Sequence, residues 1–260
     1  MADVARDGWV VFPTDPGLLD WVRAALPRAR AAVADPRQRA LGLVCEGTWF
    51  VGIDALDNDS DGAVDGVPLR AQARAAAEGL FGPLPLHRAQ VSVVWPGYPR
   101  PRAGESDAAF RYRQRRDGAH LDGLLPEGAA RRRFFREPHA WIMGLPLNEC
   151  PMGASPLVVW RGSHHILRHA LLRACAGHPP ETWSDLDLTE AYTAARAEVF
   201  ATCDRVELHA APGQAYLLHR LALHGVAPWV EGVPATADGR MIAYFRPILP
   251  GGAASSLQEA

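Results

Sequence analysis

The chain has 260 residues, 48% of them hydrophobic and 22% charged, which is ordinary for a globular protein long enough to bury a core. A formal net charge of −2 excludes bulk attraction to nucleic acid or to an anionic membrane surface. All 27 basic residues are arginine, so no lysine base or Schiff base exists, and any anion clamp falls to Arg or His.

In chain order, residues 16–35 have apolar side chains at helical spacing and predict one or two helices interrupted at Pro27. Residues 41–53 are β-rich, and 54–66 form an acidic, turn-rich loop. Its "DNDSDG" resembles the start of a calcium loop, but the twelfth position is Pro68 rather than Glu, so it reads as a plain loop. Residues 69–81 predict a helix and 89–96 a strand, while 97–117, rich in Pro, Gly and Arg, reads as irregular. The segments 139–147, 155–160, 205–210, 214–221 and 240–247 are short and strand-like. Between them, 165–177 and 188–203 predict helices, with Ser163 as a candidate N-cap. Short strands with helices packed outside predict a mainly β, α+β chain built on a sandwich or barrel. The four cysteines form no C-x-x-C pair and read as reduced thiols of a cytoplasmic protein. No signal-peptide pattern and no apolar run of membrane-spanning length is present, so no membrane partner is expected.

The chemistry concentrates at "GAHLDGLLP", residues 118–126. On a strand, His120 and Asp122 point to one side, about 7 Å apart at Cα. An imidazole and a carboxylate so placed can share a divalent ion. A second histidine would complete the two-His, one-carboxylate face of non-haem Fe(II) oxygenases. Residues 215–229 offer His219 and His224 for that place, and their odd spacing predicts that they face opposite ways. Arg240 opens the next strand, where its planar fork could hold a carboxylate. Of the crowded histidines His164, His165 and His169, the last two are one helical turn apart and could form a surface metal site, and His139 and His209 read as satisfied core or supporting histidines. Arg111, Arg113, Arg115, Arg116, Arg131, Arg132, Arg133 and Arg136 read either as a solvated, ion-paired face or as an anion-binding rim. No interleaved aromatic platform for nucleic acid accompanies them.

Four segments in order resemble the phytanoyl-CoA dioxygenase family of Fe(II)/2-oxoglutarate oxygenases. They are "HLD" (120–122), "AWIMGLPLNECPMGASPLVVWRGSHHI" (140–166), "HRLALHGVAPW" (219–229) and "GRMIAYFRP" (239–247). The resemblance implies a double-stranded β-helix, jelly-roll or cupin-like, in one oxygenase domain. Residues 89–250 would form its core, 1–88 would pack on the barrel, and 251–260 would be a flexible tail. It also implies Fe(II) held by His120, Asp122 and His224, with 2-oxoglutarate held by Arg240 and flanked by Trp141. Arg161 stands where the family has proline, and the gap from His224 to Arg240 is long, which leaves Arg246 as the alternative clamp. The implied activity is a dioxygenase using O2 to hydroxylate an unactivated C–H bond of a small organic substrate, with release of succinate and CO2. Two other readings remain, of which the first uses the same three ligands. One is a cupin-like hydrolase or isomerase without 2-oxoglutarate, and the other a non-catalytic β-barrel binding protein.

Overall fold

Strand β7 (Trp141–Pro146) divides its side chains between two buried surfaces. Trp141, Met143 and Leu145 join one apolar cluster, while Ile142 joins another. Successive residues of a strand face opposite ways, so a strand covered on both sides reads as an unbroken apolar run. In this computed structural model, which describes residues 3–258, β7 lies within a seven-stranded sheet. β10 (Ala215–His219) and β12 (Arg240–Phe245) flank it antiparallel, and β4 (Gln90–Val94) follows β12. N-terminal strands extend both edges. β1 (Trp9–Phe12) pairs with β10, β3 (Trp49–Gly52) with β4, and β2 (Leu43–Val44) with β3.

The second sheet runs β11 (His224–Val226), β8 (Leu157–Trp160), β9 (Arg205–Leu208), again antiparallel. Ile142, Tyr216, Leu218 and Ile242 of the large sheet meet Leu157, Val159 and Leu208 of the small one. The order β10-β7-β12-β4 facing β11-β8-β9 makes a double-stranded β-helix, and the chain is α+β.

Helices cover the outer faces. α2 (Pro16–Ala34) and α4 (Gln72–Phe81) bury Leu18, Trp21, Ala25, Ala73 and Ala77 against the large sheet. α6 (Ser163–Cys175) and α7 (Thr189–Thr202) bury Leu167, Leu171, Tyr192 and Val199 against the small one. α1 (Val4–Asp7), α3 (Pro36–Gly42), α5 (Asp107–Arg115) and α8 (Gly252–Gln258) are short. A hairpin, β5 (Leu124–Glu127) with β6 (Arg132–Phe135), stands apart from both sheets. No helix of the described residues is long and apolar enough to cross a membrane.

Four expectations are corrected. α2 runs through Pro27, because residues on both sides of it, Val22, Ala25 and Ala29, are buried, and that packing outweighs the one lost hydrogen bond. The segment expected to be irregular contains α5, capped by Ser106, whose hydroxyl accepts from the Ala109 amide. The expected free tail forms α8 instead. Leu257 is fully buried there, and Arg168 and Arg220 donate to the Leu257 and Ser256 carbonyls. Finally, Gly162 occupies the N-cap of α6, and the Ser163 hydroxyl accepts from the Leu223 amide, tying the helix to the strand connection.

Gly144 sits between Tyr216 and Tyr244, its partners in the two neighbouring strands. A Cβ there would lie 2.7 Å from the Tyr216 ring and 2.8 Å from the Tyr244 ring. Gly144→Ala must displace both rings within a packed interior. Denaturant unfolding should show a loss of about 1–3 kcal/mol. An unchanged midpoint would mean that the rings move freely.

Candidate metal centre

His120 and His224 stand opposite each other in an antiparallel bridge. The His120 amide donates to the His224 carbonyl at 2.8 Å, and the His224 amide donates back at 3.2 Å. Directly opposed residues on antiparallel strands project to the same side, so both imidazoles enter one space. The rings lie 4.6 Å apart between centroids. Asp122, two residues after His120, points the same way. One potential ligand atom from each of the three lies within 4.8 Å of the others, the one such group among the described residues.

The local chain is shaped for this. Gly225 follows His224, and a Cβ there would lie 2.3 Å from the Asp117 carbonyl oxygen, so only glycine lets the two segments approach. The Val226 amide donates to that carbonyl. The Asp117 carboxylate is held by a two-point fork from Arg205, at 2.7 and 2.9 Å. Each imidazole is oriented from behind. His120 Nδ1 donates to the Gly118 carbonyl at 3.0 Å and His224 Nδ1 to the Ala222 carbonyl at 2.9 Å. A carbonyl can only accept, so both protons sit on Nδ1 and the Nε2 lone pairs face the shared space.

The electrostatics suit a cation. Asp122 Oδ1 lies 3.2 Å from His120 Nε2, and Oδ2 lies 3.7 Å from His224 Nε2. Burial alone would raise the Asp122 pKa, but His224, His120 and Arg246 together push it well below the usual carboxylate range. Burial likewise opposes charge on His224, yet the Asp122 carboxylate raises its pKa overall. The Asp122 and His224 side chains are 11% and 8% exposed, whereas that of His120 is 45% exposed. The centre is therefore deep on one side and open on the other.

The structure separates the remaining predicted residues. Arg246, just past β12, donates from Nη1 to Asp122 Oδ2 at 3.2 Å and from Nη2 to Gln90 Oε1 at 2.5 Å. Arg240, at the other end of β12, is 5% exposed and interacts with the hydroxyls of Tyr216 and Tyr244. Burial disfavours its charge, but the two tyrosines raise its pKa overall. Its Nη2 has no hydrogen-bond partner. It lines a cavity of about 210 Å³ with Asn148, Cys150, Gln214, Tyr216 and Ile242. Trp141 must be corrected. It faces the outer cluster under α2 and α4, on the opposite side of the sheet from Tyr216 and Tyr244, because it is odd-numbered on a strand whose even positions face inward.

His219 and His224 do face different ways, though not on one strand. His219 ends β10 in the large sheet, and the chain crosses to the small sheet before His224. His219 Nδ1 accepts from the Leu221 amide, and its ring stacks on His164 at 4.7 Å. His164 is itself buried, with Nε2 on the Ala5 carbonyl. His139 lies beside the centre, with Nδ1 on the Arg246 carbonyl. Gln90 and Tyr216 went unnoticed in the sequence, since alternation alone does not say which face of a doubly covered strand is the interior.

No protein-family model matches the chain, and no curated protein does. Among solved structures it is similar to SnoK, a non-heme alpha-ketoglutarate-dependent carbocyclase from nogalamycin biosynthesis. The identity is 15% and the TM-score 0.55, over 97% of this chain and 85% of that one. EctD from S. alaskensis, solved with 2-oxoglutarate and 5-hydroxyectoine, superposes less well. It is 19% identical with a TM-score of 0.47, over 94% of this chain and 73% of that one. At such identity the likeness to SnoK bears on the fold.

His219 gives a prediction that needs no metal. Burial pushes its pKa down from 6.5 to about 2, so the folded chain keeps it neutral where the unfolded chain protonates. The unfolded state then binds the extra proton, and stability falls as pH drops below the ordinary histidine value. Between pH 7 and 5 this one group should cost about 2 kcal/mol. His219→Gln should remove that part of the slope in denaturant titrations at the two pH values. An identical slope in the variant would place the acid sensitivity elsewhere.

Proposed function

We propose that the chain is an Fe(II)/2-oxoglutarate-dependent dioxygenase acting on a small organic substrate. The observation that carries this is the convergence of His120, Asp122 and His224, two imidazoles and one carboxylate, on a single space inside a double-stranded β-helix. The donor set fits the metal. With each Nδ1 bonded to a carbonyl, a metal could take the place of any proton on Nε2, the carboxylate is ionised, and three protein ligands leave other coordination positions for cosubstrate and O2. Bound there, Fe(II) with 2-oxoglutarate and O2 would supply an oxidant able to functionalise an unactivated C–H bond, with succinate and CO2 as coproducts.

The protein's own residues bind, orient and exclude water. His120 and His224 would ligate through Nε2, held by the carbonyls behind them. Asp122 would ligate through Oδ1 while Arg246 holds Oδ2. Arg240 would receive the distal carboxylate of 2-oxoglutarate. It is a buried cation with an orphaned Nη2 and two neutral phenols as its hydrogen-bond partners, and a buried charge of that kind calls for an anion. Arg246 is already committed to Asp122 and Gln90, which is why Arg240 is the better clamp. A hydrolase or isomerase on the same three ligands would have no use for Arg240.

Purified protein should bind one Fe(II) per chain, and His120→Ala or Asp122→Ala should abolish that binding. Anaerobic addition of 2-oxoglutarate should then give a weak visible charge-transfer band, followed in air by slow succinate formation. Iron-loaded protein showing neither signal would sink the oxygenase reading.

Arg240→Ala should weaken 2-oxoglutarate by about 2–5 kcal/mol, roughly 30- to 4,000-fold, while leaving Fe(II) binding nearly normal. Lysine at this position should restore only part, because it lacks the fork. A large loss of 2-oxoglutarate affinity in Arg246→Ala, with none in Arg240→Ala, would reassign the clamp.

A further inference from the structure

The arginines around the metal segment fall into two groups. Arg132 faces Asp187, Arg136 faces Glu127 and Asp185, and Arg113 faces Glu105. Arg116 and Arg133 pair with no carboxylate among the described residues, and neither does Arg196 of α7, which lies beside them. All three rest on aromatic rings. The Arg196 guanidinium is 4.8 Å from the Tyr112 centroid and 5.0 Å from that of Tyr192. Arg133 lies 5.8 Å from Tyr192, and Arg116 lies 4.5 Å from Phe200. The Tyr112 and Phe200 rings are 6.3 Å apart. Three cations, from the C-cap of α5, from β6 and from α7, thus share one aromatic platform.

Nothing negative balances them. The charged side chains acting most on Tyr112 are Arg196, Arg116 and Arg133, and those acting on Tyr192 are Arg196 and Arg133. Burial, then the charges of Arg131 and Arg196, press the Arg133 pKa down. Stacking fixes the plane of a guanidinium but leaves its N–H edges available. Arg133 uses one edge on the Leu124 carbonyl, and Arg196 reaches the Tyr192 hydroxyl. The rest of these edges, with all of Arg116's, form a fixed positive surface. The platform is tied to the metal segment from the other side, since Tyr112 Oη donates to the Ala119 carbonyl at 2.8 Å. Ala119 and Leu121 face this helix-covered side, whereas His120 and Asp122 face the metal centre.

We propose that Arg116, Arg133 and Arg196 form an anion-binding site for a phosphate-class dianion, behind the His120–Asp122 segment and distinct from the metal centre. A dianion suits three cations gathered on one aromatic cluster, whereas a single carboxylate would be satisfied by one fork. The ligand is either free phosphate or a phosphate ester carried by a larger molecule. The site stands independently of the oxygenase reading.

Titration calorimetry with inorganic phosphate, and separately with methyl phosphate, tests it against chloride at matched ionic strength. Wild-type protein should bind with a dissociation constant below about 1 mM. Arg196→Gln and Arg133→Gln should each weaken binding at least tenfold, a loss of about 1.4 kcal/mol. Arg136→Gln, whose arginine is paired with two carboxylates, should leave it unchanged. Circular dichroism melts identify which variants fold, and Arg116→Gln replaces either that does not. Methyl phosphate binding as tightly as phosphate identifies an ester ligand, and preference for inorganic phosphate identifies the free ion. Either result supports the site. Absence of binding at about 10 mM overturns it. So does binding that survives all three substitutions, which belongs to Arg240 or the metal centre, or binding weakened equally by Arg136→Gln, which reflects diffuse charge.

Discussion

The two backbone hydrogen bonds between His120 and His224 join a segment from the middle of the chain to a strand about a hundred residues later, and the site depends on that register. A slip of one residue on either side would turn one imidazole to the outer face. Several features hold the pairing in place. Gly225 permits the approach, the Val226 amide extends the ladder to Asp117, and Arg205 grips the Asp117 carboxylate from β9. Tyr112 fixes the Ala119 carbonyl from behind. None of these residues touches the metal space, yet each limits where the two Nε2 atoms can lie.

Charge is the second constraint. Asp122 is nearly buried, and a buried carboxylate without a positive neighbour would be costly. Its neighbours supply the balance, with His120 and His224 on the metal side and Arg246 behind. Arg240 is the converse case, a buried cation with phenols for company and an open nitrogen. Two arginines at opposite ends of β12 therefore stand in opposite electrostatic situations. Arg246 completes a set of protein charges, whereas Arg240 has no carboxylate partner among the described residues. Gly144 bears on this as well, because it makes room for the two tyrosine rings beside Arg240.

Much of the framework was legible from pattern alone. Runs such as "AWIMGLPL" and "SPLVVW" read as strands from their β-branched and aromatic content, and 69–81 and 188–203 read as helices from their alanine-rich, helix-forming composition. α5 was hidden, since a short helix rich in arginine carries few apolar residues and is marked chiefly by its Ser106 cap. α8 was hidden because its order comes from Arg168 and Arg220 reaching across from other elements. The hairpin at 124–135 lies outside both sheets, so no alternation toward a common core announced it.

The H-x-D spacing determined by itself that an imidazole and a carboxylate would share one side of an extended segment, since side-chain direction on a strand follows parity. Parity cannot say which side is the interior when both are covered. Trp141 was therefore expected at the centre and lies under the helices, while Tyr216 and Gln90 went unnoticed and line the interior. Nor could the local sequence decide between His219 and His224. They are five residues apart, and the chain changes sheets between them, so their separation in space is set by sheet packing rather than by strand geometry. The same holds for Arg240, which opens β12, and Arg246, which lies just past its end. Which one meets Asp122 was decided by the segment that folds against each end of β12, a contact between residues more than a hundred positions apart.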